Sequence, residues 1–214
     1  LELLRRASEL EPLRGDGYAW LARALREAVR LERDFEQAAA LRESEIRAWR
    51  RARALVPSNA DYALGLGLAL SGAGRRSEAV IALEEAEQLD ANNVLITGNL
   101  GALYLQLGRR ERAESLLKRA AEGDPQRAEW WGNLGLLYSA QGQFEQAEKV
   151  IREAVARSSG AAIWHVQLVD LLLSQAKVEL AWQAVTQGIQ HHPSHDGLLK
   201  RAQAIARTVQ KGER

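Results

Sequence analysis

Three histidines crowd one short stretch of the chain. His191 and His192 precede Pro193-Ser194, and His195 follows. Three imidazoles gathered at one turn have the donor chemistry of a zinc or nickel site. Their spacing matches no helical metal motif, so the cluster reads as a solvated turn and no metal is expected. A second group is a row of carboxamides. The step from Asn99 to Asn133 is repeated from Asn133 to Gln167. A carboxamide carries both a donor and an acceptor, so such a row can pair with the backbone of a bound peptide whatever its sequence. The alternative is a local bond from each side chain to its own helix. Ser, His and Asp occur without a nucleophile elbow. There is no phosphate-cradling Gly-rich loop, and no paired carboxylates sit in an evident pocket. The chain is therefore expected not to be an enzyme and to need no cofactor.

The elements that carry these residues are helical. Ala, Leu, Arg, Glu and Gln dominate the 214 residues and Pro is only four, so the fold is expected to be all-α. Lys plus Arg is 29 against 28 for Asp plus Glu, which argues against a nucleic-acid or anionic-membrane binder. Without cysteine there is neither a disulfide framework nor a thiolate metal site. No run approaches the roughly 18 apolar residues of a membrane span, and no signal-peptide pattern is present. Cytoplasm and periplasm fit equally. The first residue is Leu1, not Met, which suggests a piece of a longer chain. The Ala-, Arg- and Leu-rich composition without Cys or Met suggests a bacterial source.

One fixed period organises the chain. It relates Ala79, Ala113, Ala147 and Ala181, then Gly67, Gly101 and Gly135, then Leu66, Leu100, Leu134 and Leu168. Pro57, Pro125 and Pro193 fall on it too, with Ala91 and Ser159 in the vacant slots. A period in this range means stacked repeats. Gly or Ala is needed where two helices approach closely, and Pro ends the second helix of a unit. Trp131, Leu134, Gly135 and Tyr138, followed by Ala147, Ile151 and Ala154, resemble the tetratricopeptide (TPR) signature. The units on either side carry the same signature, with Val169 at a usual Gly and Gly188 at a usual Ala. The resemblance implies an all-α, right-handed TPR superhelix, an α-solenoid of antiparallel helix pairs with about eleven to thirteen helices.

The repeats are placed at 60–93, 94–127, 128–161 and 162–195, within one solenoid over 1–214. Leu4, Ala7 and Pro12 read as the end of a partial repeat at 1–12. Residues 13–59 form a longer unit. Phe35-Glu36-Gln37-Ala38 repeats Phe144-Glu145-Gln146-Ala147. That match gives the first helix about four extra residues and the second about seven, roughly one and two turns. Whole turns keep the buried stripe in phase, and the tips project beyond the stack. Leu198, Leu199, Ala202, Ile205, Ala206 and Val209 have the spacing of a capping helix within 196–214.

In TPR proteins the first helix of each pair lines a concave groove. By position, that lining here includes Trp20, Leu64, Leu68, Leu95, Asn99, Ala102, Asn133, Leu136, Gln167 and Asp170. The leucines are not required by the repeat pattern. They mark either a groove for an apolar helix or extended peptide, or the contact between neighbouring helices of a tight stack. TPR proteins that hold a C-terminal carboxylate place Lys, Asn and Arg at slots occupied here by Leu64, Leu68, Asn99, Glu129 and Asn133. The basic residues are missing, so that specificity is not expected. Trp49 and Trp131 fall in core slots, and Trp130 and Trp164 share the preceding slot. Trp182 follows the core Ala181, and His165 takes a Trp slot as a packed, satisfied side chain. Arg42, Arg47, Arg50, Arg51 and Arg53 make one long helix basic, while residues 60–93 carry a net charge of −4. That pair of charges offers a means of orienting a partner or a second copy. The expected function is a non-catalytic scaffold binding a protein or peptide partner. The alternatives are a self-assembling homo-oligomer and the TPR arm of a larger enzyme or envelope machine.

Overall fold

The computed structural model describes residues 14–158 and 161–212. The partial repeat expected at 1–12 lies outside the described residues. Among these residues there are eleven helices and no strand. They are α1 (Gly15–Leu31), α2 (Phe35–Leu55), α3 (Ala60–Gly72), α4 (Arg76–Leu89), α5 (Val94–Gln106), α6 (Arg110–Gly123), α7 (Ala128–Ala140), α8 (Phe144–Arg157), α9 (Ala162–Ser174), α10 (Val178–His191) and α11 (Asp196–Gly212). No described helix is long and apolar enough to cross a membrane. The helices fall into two compact units, divided between Arg109 and Arg110.

In the unit up to Arg109, α1 packs on α2, α2 on α3, α3 on α4, and α4 on α5. Helices α1 and α2 have 17 and 21 residues, against 13 and 14 in α3 and α4. The side chains of Asn59 and Asn93 accept hydrogen bonds from the first free N–H groups of α3 and α5, each cap contributing about 1 kcal/mol. The equivalent Arg127 and Ala161 give no such cap to α7 and α9. Two polar contacts reach the interior. Glu45, 4 % exposed, accepts from Arg26 Nε at 2.8 Å, and Arg26 also donates to the Gly65 carbonyl at 3.3 Å. Tyr62 donates its hydroxyl hydrogen to the Asp16 carboxylate. Burial first, and that hydrogen bond second, push the Tyr62 phenol up to about 12.

In the unit from Arg110, α6 packs on α7, α7 on α8, α8 on α9, and α9 on α10. Helix α11 covers α10 and α9 through the buried Leu198 and Ile205. The packing is close enough to require glycine. A Cβ at Gly135 would lie 2.2 Å from Ile151 Cγ1 on α8, and one at Gly132 would lie 2.1 Å from the Trp164 ring on α9.

One turn joins the two helices of each later pair. Gly74, Gly108, Gly142 and Ala176 recur once per repeat, with φ of +76°, +71°, +75° and +56°. The following N–H groups, of Arg75, Arg109, Gln143 and Lys177, return to the Leu70, Tyr104, Tyr138 and Leu172 carbonyls, each at 2.9 Å. This is a Schellman closure, which needs a left-handed residue after the helix. Only Gly adopts that conformation without steric cost, and Ala176 does not have that freedom.

Ala176→Gly is expected to raise stability by about 1 kcal/mol, and Gly142→Ala to lower it by about the same amount, read as shifts in denaturant midpoint at constant slope. Tyr62 carries a pH signature. Its folded pKa is raised, so its contribution is fully present below the unfolded value of 10.0 and is lost as pH rises towards about 12. Tyr62→Phe is expected to flatten the fall in stability across that window. A variant whose profile parallels the parent's would refute this.

Candidate functional site

Residues three and four apart on a helix share a face. The first helices therefore carry four stripes: Asp61–Leu64–Leu68 on α3, Leu95–Asn99–Ala102 on α5, Glu129–Asn133–Leu136 on α7, and Ile163–Gln167–Asp170 on α9. The two units carry two stripes each.

In the unit up to Arg109, Trp20 is 65 % exposed, with the Arg23 guanidinium 5.5 Å from its ring centre. Leu95 is 40 % exposed, whereas Leu68, Asn99 and Ala102 are half-buried. Leu64 is only 8 % exposed. It packs inside the unit, where neighbouring helices close over it. Asn99 Nδ2 donates to the Leu95 carbonyl one turn back at 2.7 Å, so one carboxamide hydrogen is used locally.

In the unit from Arg110, Leu136 and Ile163 are 42 % and 50 % exposed. Asn133 and Gln167 are half-buried. The Gln167 Oε1 is buried without a hydrogen-bond partner. Asp170 is occupied. Arg201 of the capping helix grips it through Nε at 2.6 Å and a terminal nitrogen at 2.5 Å. That bidentate pair pins α11 onto α9.

The tryptophans sort differently from their expected slots. Trp49 is buried at 2 % as expected. Trp130 and Trp164 are also buried, at 4 % and 8 %, and they share a register with the buried Tyr62 and Ile96. Trp131, expected in the core, is half-buried. The reason is size. The same register holds Ala63, Thr97 and His165 elsewhere, all at most 2 % exposed. An indole overfills the position, and its ring extends to donate to the Pro125 carbonyl at 3.0 Å, under Arg157 at 4.8 Å.

The histidines regroup as well. His191 and His192 gather around His165 of α9, with ring centres 5.9 and 6.2 Å from it. His195 caps α11 instead, accepting from the Leu198 N–H at 3.3 Å. His165 is packed, at 1 % exposed, but it is not satisfied. Neither ring nitrogen makes a hydrogen bond of full geometry, although the Ala184 backbone lies near enough to favour a proton. No group of side chains arranged to hold a metal occurs among the described residues.

The basic helix and the acidic repeat meet each other. Arg50 pairs with Glu78 at 3.1 Å and Arg53 with Glu85 at 2.8 Å. Arg75 reaches both Glu78, at 2.7 Å, and Glu43, at 3.4 Å. Hydrogen bonds from Arg75 hold the Glu78 carboxyl below its ordinary value. The charges thus neutralise one another within the unit. One surface has no distinguishing residue type in the sequence. Leu31 and Phe35, at the turn between α1 and α2, are 83 % and 81 % exposed. Beside them an open cavity of about 750 Å³ is lined by Ala28, Leu31, Gln37, Ala40 and Leu41, with Glu32, Glu43, Ser44 and Arg47.

Sequence models described as tetratricopeptide repeat match residues 70–137 and 128–159. No curated protein matches the chain. Several solved structures share the fold. MamA from Desulfovibrio magneticus RS-1 superposes with a TM-score of 0.67 at 19% identity, over 82% of this chain and 97% of that one. PilF of Pseudomonas aeruginosa gives 0.71 at 20% identity, over 92% and 88%. YrrB, described as a TPR protein with an unusual peptide-binding site, gives 0.63 at 20% identity, over 92% and 96%. Taken with the fixed sequence period and the recurring helix-pair turn, these matches identify tetratricopeptide repeats over residues 70–159 and give the chain a TPR-type, all-α solenoid fold.

Proposed function

We propose that this protein-interaction scaffold is non-catalytic and holds a segment of a protein partner, as an extended peptide or a helix, on the stripes of its first helices. The observation that carries this is the exposure of large apolar side chains beside half-buried carboxamides: Leu95 next to Asn99, Leu136 next to Asn133, and Ile163 next to Gln167. Helix pairs of this kind bury their apolar surface against neighbours, so side chains left at 40 % and more on these faces are available to a ligand. The peptide-binding site described for YrrB supports the same use of the fold. The exposed leucines and isoleucine of the stripes favour a ligand with apolar anchors.

Panning a displayed peptide library against the chain tests this. Selected ligands are expected to be rich in apolar side chains, and Leu95→Arg or Leu136→Arg to weaken them about tenfold or more. Ligands whose affinity ignores both substitutions would place binding elsewhere.

A second reading rests on Leu31 and Phe35. Two large apolar side chains, 83 % and 81 % exposed at the tip of the lengthened pair, favour docking of a second copy there. Light scattering is expected to show an oligomer that Leu31→Glu with Phe35→Glu converts to monomer. A strict monomer at high concentration in the parent chain excludes this reading.

A further inference from the structure

We infer that α9, α10 and the capping helix α11 form an acid-sensitive latch whose sensor is the buried imidazole of His165. Three elements converge on that ring. A Cβ built on Gly188 of α10 would lie 3.0 Å from His165 Cβ and 3.1 Å from Leu198 Cδ1 of α11, so the imidazole occupies space that an ordinary side chain on α10 would fill. His191, stacked at 5.9 Å and 26°, and His192, edge-on at 6.2 Å, face the same ring. The Nε2 of His192 is also buried without a partner.

A proton on His165 would have nowhere favourable to go. Burial, then His191 and His192, lower its affinity for one, and the Ala184 backbone is the contact that favours it. Four carboxylates of the packed elements are engaged elsewhere. On α8, Glu148 pairs with Arg152 at 2.9 Å and with Lys177 at 3.0 Å, and Glu153 pairs with Arg157. Asp170 of α9 is held by Arg201, and Asp196 of α11 meets Lys200 at 3.3 Å. Glu129 of α7, Glu145 and Lys149 of α8, Glu179 of α10, and Arg207 of α11 are further charged groups on these helices, with His195 at the entrance to α11. None of them contributes to the His165 field, which comes from the two neighbouring imidazoles.

The direction follows from linkage. The folded value of His165 lies below its ordinary 6.5, so the stability from its neutral form is complete above that pH. It is lost as pH falls through the folded value, because the opened state takes the proton first. Opening would uncover Leu198 and Ile205, now buried at 0 % and 2 %.

Hydrogen exchange on the full chain, corrected for the intrinsic pH dependence of the amides, tests the latch. Between pH 7.5 and 5, α9–α11 are expected to lose about tenfold in protection relative to α3–α5. His165→Phe, which keeps an aromatic ring and takes no proton, is expected to abolish that difference. Undiminished protection of the parent at pH 5, or an equal loss in His165→Phe, overturns the proposal. Should His165→Phe not fold, the double variant His191→Gln with His192→Gln decides. Removing the two imidazoles that disfavour a proton on His165 is expected to move opening to lower pH, and an unmoved midpoint overturns the latch.

Discussion

Within each unit, helices lie closely against one another where one side chain at the crossing is missing or small. A Cβ added at Gly67 would lie 2.6 Å from Leu83, and one at Gly135 would lie 2.2 Å from Ile151, so neither position has room for it. On the second helices Ala79, Ala113, Ala147 and Ala181 are all fully buried. A methyl group forced into such a contact displaces whole side chains and costs about 1–3 kcal/mol. The spacing of helix axes, the burial of the large residues around each crossing, and the stripes left over for solvent all follow from this contact. Where the pattern breaks, at Val169 and Gly188, the missing side chain appears on α10, and His165 and Leu198 come in to use the space.

That constraint is also what made the fold legible in the sequence. Close approach admits only Gly or Ala, so the residue types repeat whenever the geometry does, and the regular spacing of Ala79, Ala113, Ala147 and Ala181 exposes them. The lengths of α1 and α2 were legible for a related reason: whole-turn insertions are the ones that preserve phase. The candidate surfaces were less legible. A shift of one residue rotates a helical side chain by about 100°, so Trp130 and Trp131 exchange core and rim without any change of composition. Leu64 and Leu68 are identical in type and one turn apart, and only the closeness of adjoining helices separates the buried one from the half-buried one. His165 and His191 stand on different helices, too far apart along the chain for local spacing to connect them. The turn glycines Gly74, Gly108 and Gly142 did carry a periodic signal, which their left-handed φ explains.

Charge plays an inward role in the unit up to Arg109. The arginines of α2 and the glutamates of α4 are adjacent in space, and exposed pairs of this kind each contribute at most about 1 kcal/mol. Their larger effect is on what remains visible from outside. With those charges matched, the first-helix stripes of that unit present leucines and a carboxamide, with Asp61 as their exposed charge. Recognition there, as proposed, would rest mainly on shape and on desolvation. It should show little dependence on ionic strength and little long-range steering. The pair of Arg26, half-buried, and Glu45, buried, differs in kind. Glu45 is enclosed, and stripping it of its partner would leave an uncompensated charge inside, at a cost of about 3–5 kcal/mol.

The turn closed by Gly74, Gly142 and Ala176 joins each helix to its mate through a very short span. Closing so short a loop loses little chain entropy, and the contacts it permits are between neighbours in sequence. Within each unit the interactions are therefore of low contact order, the regime in which domains assemble in microseconds to milliseconds. Helix pairs can nucleate at several places and zip outward, so a nascent chain need not wait for its C-terminus before its first pairs acquire structure.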